Sequence, residues 1–204
     1  WVSVDLGSAE GPATIYSFTH EKDIAVDILI NNAGFGIANE FLETSPENLQ
    51  GMVQVNIASL IALTHLYLQG MHERQVGQII LVGSVNAFMP VPHFAVYSAT
   101  KAFVKSFGEA LALECRGSGV RVSTLHPGGT STEFIDVAEM KLERFMETAL
   151  MSPKRVARIG LSAAHSGAIS TVTGFLNKLT VFFLWLTPQF LVRLGAKALF
   201  SRLH

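Results

Sequence analysis

Ile28-Leu29-Ile30-Asn31-Asn32-Ala33-Gly34 is a short apolar run that stops abruptly at polar and small residues, and Ile79-Ile80-Leu81-Val82-Gly83-Ser84 follows the same plan further along. A continuous apolar run of this length, bounded by Gly and polar residues, reads as a strand buried on both faces, the kind found in parallel sheets. Between the two runs, Ser45-Pro46-Glu47 offers a capping hydroxyl, Pro at the first helical position and an acid in the first turn. A helix is therefore expected from there to Arg74. Its segment Val53 to Leu68 is apolar on nearly every face, so it needs cover on two sides, the sheet on one and a partner subunit on the other.

Working outward, strands are expected at Val2–Leu6, Asp27–Ile30, Gln78–Val82, Val120–Leu125 and Ile169–Thr173. Helices are expected from Pro12 through Thr19 towards Lys22, over Tyr97–Arg116, and from the Ser152-Pro153 start to His165. Beyond Asn177 lies an apolar, helical tail to His204, interrupted by Pro188. Strands and helices that alternate in this way form an α/β domain, a Rossmann-like doubly wound parallel sheet in three α/β/α layers. Ligands of such sheets bind at the carboxyl ends of the strands, where Asn31, Ser84 and His126-Pro127-Gly128 fall.

Composition limits the function. The 204 residues fit one domain, and 49% hydrophobic against 15% charged residues suffice for a large core. A net charge of -1 without basic clusters gives nucleic acid nothing to bind. Cys115 is the only cysteine, and the seven His residues show no His-x-x-x-His spacing, so neither a disulfide nor a metal site is expected. Trp1-Val2-Ser3-Val4-Asp5-Leu6 has no basic n-region and reads as a strand rather than a signal peptide, so a cytoplasmic protein is expected.

Tyr97-Ser98-Ala99-Thr100-Lys101 places a phenol and an ammonium one helical turn apart on the same face. A fixed positive charge favours phenolate, so Lys101 is expected to lower the Tyr97 pKa and make it a proton donor or acceptor near neutral pH. Alone, the pair is as well explained by an ordinary amphipathic turn, Ser84 by a strand-ending Ser, and Asn56 by a polar residue bending a helix. Taken together, Asn31-Asn32-Ala33-Gly34, Asn56, Ser84, Tyr97, Lys101 and Pro127-Gly128 resemble the short-chain dehydrogenase/reductase family over residues 2 to 175, in order and spacing.

The resemblance implies an NAD(P)(H)-dependent oxidoreductase that interconverts a secondary alcohol and a ketone. It implies Tyr97 as acid/base, Lys101 as its activator and holder of the nicotinamide ribose, Ser84 as carbonyl binder, and Asn56 as part of a water-borne proton relay. The implied cofactor contacts are Asp5, Asn31, Ala33, Gly34, Tyr97, Lys101, Pro127, Gly128 and Thr132, with NADP favoured over NAD by the family branch. Asp5 reads equally well as a turn former. Gly129-Thr130 departs from the family, where an apolar residue is common at the second position. The family's Gly-x-x-x-Gly-x-Gly loop, which grips a pyrophosphate at a helix N-terminus, does not occur in these residues. The first βαβ unit is therefore expected to precede Trp1. The rival reading is a non-catalytic homologue or oligomeric scaffold that binds no cofactor.

Phe88-Met89-Pro90-Val91-Pro92-His93-Phe94, between Ser84 and Tyr97, is expected as one wall of a cleft for an apolar ketone, with His93 in a surface or loop-packing role. Gly174-Phe175-Leu176-Asn177-Lys178 and the tail resemble hydroxysteroid dehydrogenases and long-chain 3-oxoacyl reductases, which act on bulky apolar ketones. A homodimer or homotetramer is implied. Val181-Phe182-Phe183-Leu184-Trp185-Leu186 is too short to span a bilayer. It is expected to wall the pocket or fill a subunit interface, with peripheral contact to a membrane surface as the alternative.

Overall fold

The computed structural model describes residues 1–130 and 150–200. Helix α1 (Gly11–Glu21) leads to strand β1 (Ile28–Asn31). A continuous helical stretch follows, made of α2 (Pro46–Val53), a wide π-turn (Gln54–Ser59) and α3 (Leu60–Glu73). Strand β2 (Gly77–Val82), a 3-10 turn (Val85–Phe88), α4 (Ala95–Glu114) and β3 (Val120–His126) come next. From residue 150 on, the described elements are α5 (Pro153–His165), β4 (Ser170–Val172), α6 (Phe175–Leu186) and α7 (Gln189–Phe200).

The four strands are parallel and lie in the order β1-β2-β3-β4. Asn31 pairs with Leu81 and Val82 with Leu125, so the carboxyl ends of β1, β2 and β3 form one edge. Layering follows from two glycines. Gly108 of α4 sits where a Cβ would overlap Thr124 and Leu81, and Gly160 of α5 sits where a Cβ would overlap Leu125. Thr124 and Leu125 are neighbours on β3 and point to opposite faces, so α4 and α5 cover opposite sides of the sheet. This is the expected three-layer α/β/α arrangement.

The main core lies on the α3–α4 side, where Leu60, Leu63, Tyr67 and Met71 meet Ile79, Leu81, Val104 and Val122. The stretch Pro46–Glu73 is long and apolar enough to cross a membrane by length and composition alone. Its buried contacts with the sheet are those of a core helix. Both expected caps form: Ser45 Oγ accepts from the Asn48 N–H at 3.3 Å, and Ser152 Oγ accepts from the Arg155 N–H at 3.4 Å.

One expectation fails. Val2–Leu6 is not a strand, because no described strand lies beside it to complete a ladder; the Ser59 hydroxyl instead donates to the Leu6 carbonyl at 2.7 Å. The tail is helical and breaks at Pro188, as expected. Pro188 splits it into α6 and α7, and it is α7 that reaches the interior, through Val192 and Ala196.

Candidate active site

Three segments distant in sequence converge at the carboxyl edge. Asn56, 1% exposed in the π-turn, accepts from the Phe35 N–H at 3.0 Å and donates to the Phe35 carbonyl at 2.9 Å. It also donates to Thr100 Oγ1 of α4 at 3.0 Å. Asn56 thereby ties the loop after β1 to the helix that carries Tyr97 and Lys101. Gly34 completes the junction: a Cβ there would lie 2.9 Å from Asn56 Oδ1 and 3.4 Å from Lys101 Nζ.

Ser84 follows β2 directly, and its hydroxyl is hydrogen-bonded to that of Tyr97 while accepting from the Asn86 N–H at 3.1 Å. Lys101 Nζ donates to the Val82 carbonyl at 2.9 Å and lies 5.7 Å from the Tyr97 ring centre. Both side chains are buried. Burial pushes the Tyr97 phenol up to about 12 against a smaller opposing effect of the Ser84 hydrogen bond, and pushes the Lys101 ammonium down to about 8. The expected depression of the Tyr97 pKa is therefore not found in this structure: desolvation by burial outweighs the Ser84 hydrogen bond.

Asn31 donates to Thr64 Oγ1 at 2.9 Å, so its side chain braces β1 against α3. Asn31 and Ala33 also line a cavity of about 250 Å³ beside β1, together with Leu6 and Leu29. Asp5 is exposed and its carboxylate accepts from the Gly7 N–H at 2.8 Å, the local turn that its position suggested. Pro127 follows β3 and its carbonyl accepts from the Val85 N–H at 2.9 Å, next to Ser84. A Cβ at Gly128 would overlap the Asn177 side chain. Thr132 lies outside the described residues.

His126 is a site-adjacent residue that was not singled out in advance. It is fully buried, Nε2 lies 3.1 Å from Ser170 Oγ, and its ring meets Phe88 edge to face at 5.0 Å. A Cβ at Gly83 would lie 2.6 Å from Nδ1, so the ring packs directly under the residue before Ser84. Burial lowers its pKa to about 4, leaving it neutral. The only signal in the sequence was its place at a strand end.

A second cavity, about 630 Å³, is lined by Phe88, Met89, Val91 and the Ser98 face of α4, with Arg193 and Lys197 of α7 on its far side. The Phe88–Pro92 part of the expected cleft wall does line a cavity. Phe183 and Trp185 do not; both are exposed. Past the break at Pro188, it is α7 that supplies lining to this cavity. His93 sits in the left-handed region with φ 64°, its carbonyl accepting from the Asn39 N–H at 3.0 Å.

The donors present suit the nicotinamide end of a dinucleotide. A buried ammonium, a glycine surface free of a Cβ beside it and a pair of linked hydroxyls stand together at the edge where such ligands bind. The pyrophosphate end has no glycine-rich loop in these residues.

The sequence model for the short chain dehydrogenase family matches residues 1–143. This chain belongs to the short-chain dehydrogenase/reductase family, a class of oxidoreductases built on the Rossmann-like sheet described above. It is 30% identical over 163 residues to 17-beta-hydroxysteroid dehydrogenase type 3 of Mus musculus, covering 78% of this chain and 53% of that protein. It is 31% identical over 184 residues to the very-long-chain 3-oxoacyl-CoA reductase of Laccaria bicolor, covering 85% and 52%. Among solved structures, a short-chain dehydrogenase from Sphingobium yanoikuyae in complex with NADPH superposes with a TM-score of 0.75 at 27% identity, covering 83% of this chain and 65% of that one. The chain spans about half the length of the relatives it matches.

Proposed function

We propose that this chain carries the catalytic part of an NAD(P)(H)-dependent oxidoreductase that interconverts a secondary alcohol and a ketone. The observation that carries the reading is the linked Ser84 and Tyr97 hydroxyls at the end of β2, with the Lys101 ammonium buried beside the phenol. The chemistry supplied by the cofactor is the hydride. As a ketone carbon gains that hydride, the carbon–oxygen π pair moves onto oxygen, which takes the Tyr97 proton while Ser84 donates a hydrogen bond to it. The phenolate left on Tyr97 is stabilised by Lys101 and, on the family pattern, is reprotonated from solvent through a water that Asn56 would hold beside Lys101. In the alcohol-to-ketone direction every transfer runs backwards.

Lys101 would hold the nicotinamide ribose, with the Asn31, Ala33 and Gly34 backbone, Pro127 and Gly128 alongside. Asp5 and Thr132 enter on the family resemblance alone, as does the preference for NADP. The substrate reading is an apolar ketone, acyl or steroid-like, supported by the Phe88, Met89 and Val91 lining of the larger cavity. A homodimer or homotetramer through the helices that contain Val53–Leu68 and Tyr97–Leu113 is supported by exposed Val53, Ile61 and Leu113.

The test is Tyr97→Phe in the full-length protein. Ketone reduction should fall by about 10²–10⁴-fold, the usual worth of a positioned acid, while nucleotide affinity stays within a few-fold. Turnover close to wild type would refute the assignment. If the wild-type protein instead binds neither NADPH nor NADH, the non-catalytic scaffold reading takes its place.

A further inference from the structure

No residue of α6 is buried, although it carries one of the most apolar runs in the chain. Phe175 (78% exposed), Phe183 and Trp185 (80%) stand out from it, and Phe190, Leu191 and Leu194 extend the surface along α7. A helix apolar on all sides is normally covered, and an apolar surface of this extent marks an interaction. Charge says with what. Seven of the chain's fifteen Lys and Arg, and none of its sixteen Asp and Glu, fall after Glu147. Lys178, Arg193 and Lys197 all lie exposed among the apolar side chains of the two helices.

We propose that α6 and α7 dock the protein, lying in plane, on a bilayer surface that contains anionic lipid. The 12 residues of α6 fall short of the roughly 20 that a spanning helix needs, which keeps it in the interface. A second copy is a poorer occupant: a two-fold contact would set this patch against itself, cations facing cations with no acid in the segment to answer them. A bilayer answers both halves, since the boundary of the acyl chains takes the rings and the headgroup phosphates and carboxylates take the cations. Because α7 also lines the larger cavity, docking sets that cavity beside the headgroups, where an apolar ketone is concentrated. The inference rests on none of the catalytic assignments.

The test is co-sedimentation of the full-length protein with vesicles of phosphatidylcholine alone and of phosphatidylcholine mixed with phosphatidylserine. Binding should favour the mixed vesicles and weaken with salt, and Lys178→Gln should reduce it about fivefold. Phe183→Ser combined with Trp185→Ser, both at exposed positions, should abolish it with turnover on a water-soluble ketone unchanged. In a background where Trp1 and any other tryptophan of the full-length protein are replaced by Phe, leaving Trp185, emission should shift to the blue and be quenched by lipids brominated near the headgroup. Absence of binding to the mixed vesicles, or Trp185 emission that does not move, would overturn the proposal. So would a lipid-free dimer that dissociates on Phe183→Ser, since the patch would then belong to a second copy.

Discussion

Lys101 directs its ammonium at the Val82 carbonyl, 2.9 Å away, while standing 5.7 Å from the centre of the Tyr97 ring. One side chain thus joins the end of β2 to the helix that bears the phenol, and holds a cation in the interior beside it. With the phenol pushed up to about 12, Tyr97 is protonated at neutral pH in this structure.

The buried ammonium has a cost that can be measured. Its folded pKa of about 8 lies below the ordinary 10.5, so between those values the unfolded chain binds more protons, and stability falls as pH drops through that window. At neutral pH the full penalty is present. Lys101→Met should therefore raise unfolding stability, on the order of 1–3 kcal/mol, while abolishing turnover. A lowered urea midpoint would contradict this.

Gly34→Ala should be damaging well beyond its size. The new methyl would come within 2.9 Å of Asn56 Oδ1, and Asn56 cannot retreat because Phe35 and Thr100 hold it. We expect a loss of about 1–3 kcal/mol in stability, as in other overpacked sites, and a fall in kcat of more than about tenfold through displacement of Lys101. Wild-type kinetics and thermal midpoint would show that the loop yields freely.

His126 makes the domain sensitive to mild acid. Its folded pKa of about 4 lies below the ordinary 6.5, so the unfolded chain takes up a proton first as pH falls. Stability should hold above about pH 6.5 and decline towards pH 4, by about 3 kcal/mol in all. His126→Asn should flatten that decline in urea titrations, and an unchanged slope would assign the sensitivity elsewhere.

If the subunit contact uses the helices with exposed Ile61 and Leu113, Ile61→Arg together with Leu113→Arg should convert the oligomer to monomer in sedimentation. A wild-type protein that is monomeric at micromolar concentration and fully active would remove the contact.

The elements read correctly in advance were those written in local chemistry. The apolar runs ending at Asn31, Val82 and Leu125 are β1, β2 and β3 to within a residue, and Ser45-Pro46 and Ser152-Pro153 do start helices. Tyr97, Lys101, Ser84, Asn56 and Gly34 come together because spacing on a helix and position at strand ends fix them in a parallel sheet. What was illegible depended on neighbours. Val2–Leu6 has strand composition but no adjacent strand, the Tyr97 pKa is set by a burial that no spacing reports, and the tail's interior face passed to α7 at Pro188. His126 looked like a strand's last residue, and only packing under Gly83 gives it weight.

The wide turn at Gln54–Ser59 reconciles two demands that a regular helix would set at odds. Upstream, Met52 is buried, and Asn56 faces the loop after β1; downstream, Leu60, Leu63, Tyr67 and Met71 must face the sheet. Each residue of an α-helix advances about 100° around its axis, so the same residues wound as a regular α-helix would swing the whole downstream face away from the strands. The extra residue works as a phase shifter between chemistry and core. Homologous chains that wind this stretch as a regular helix should therefore be one residue shorter here, or else lose either the asparagine's aim or the helix's grip on the sheet.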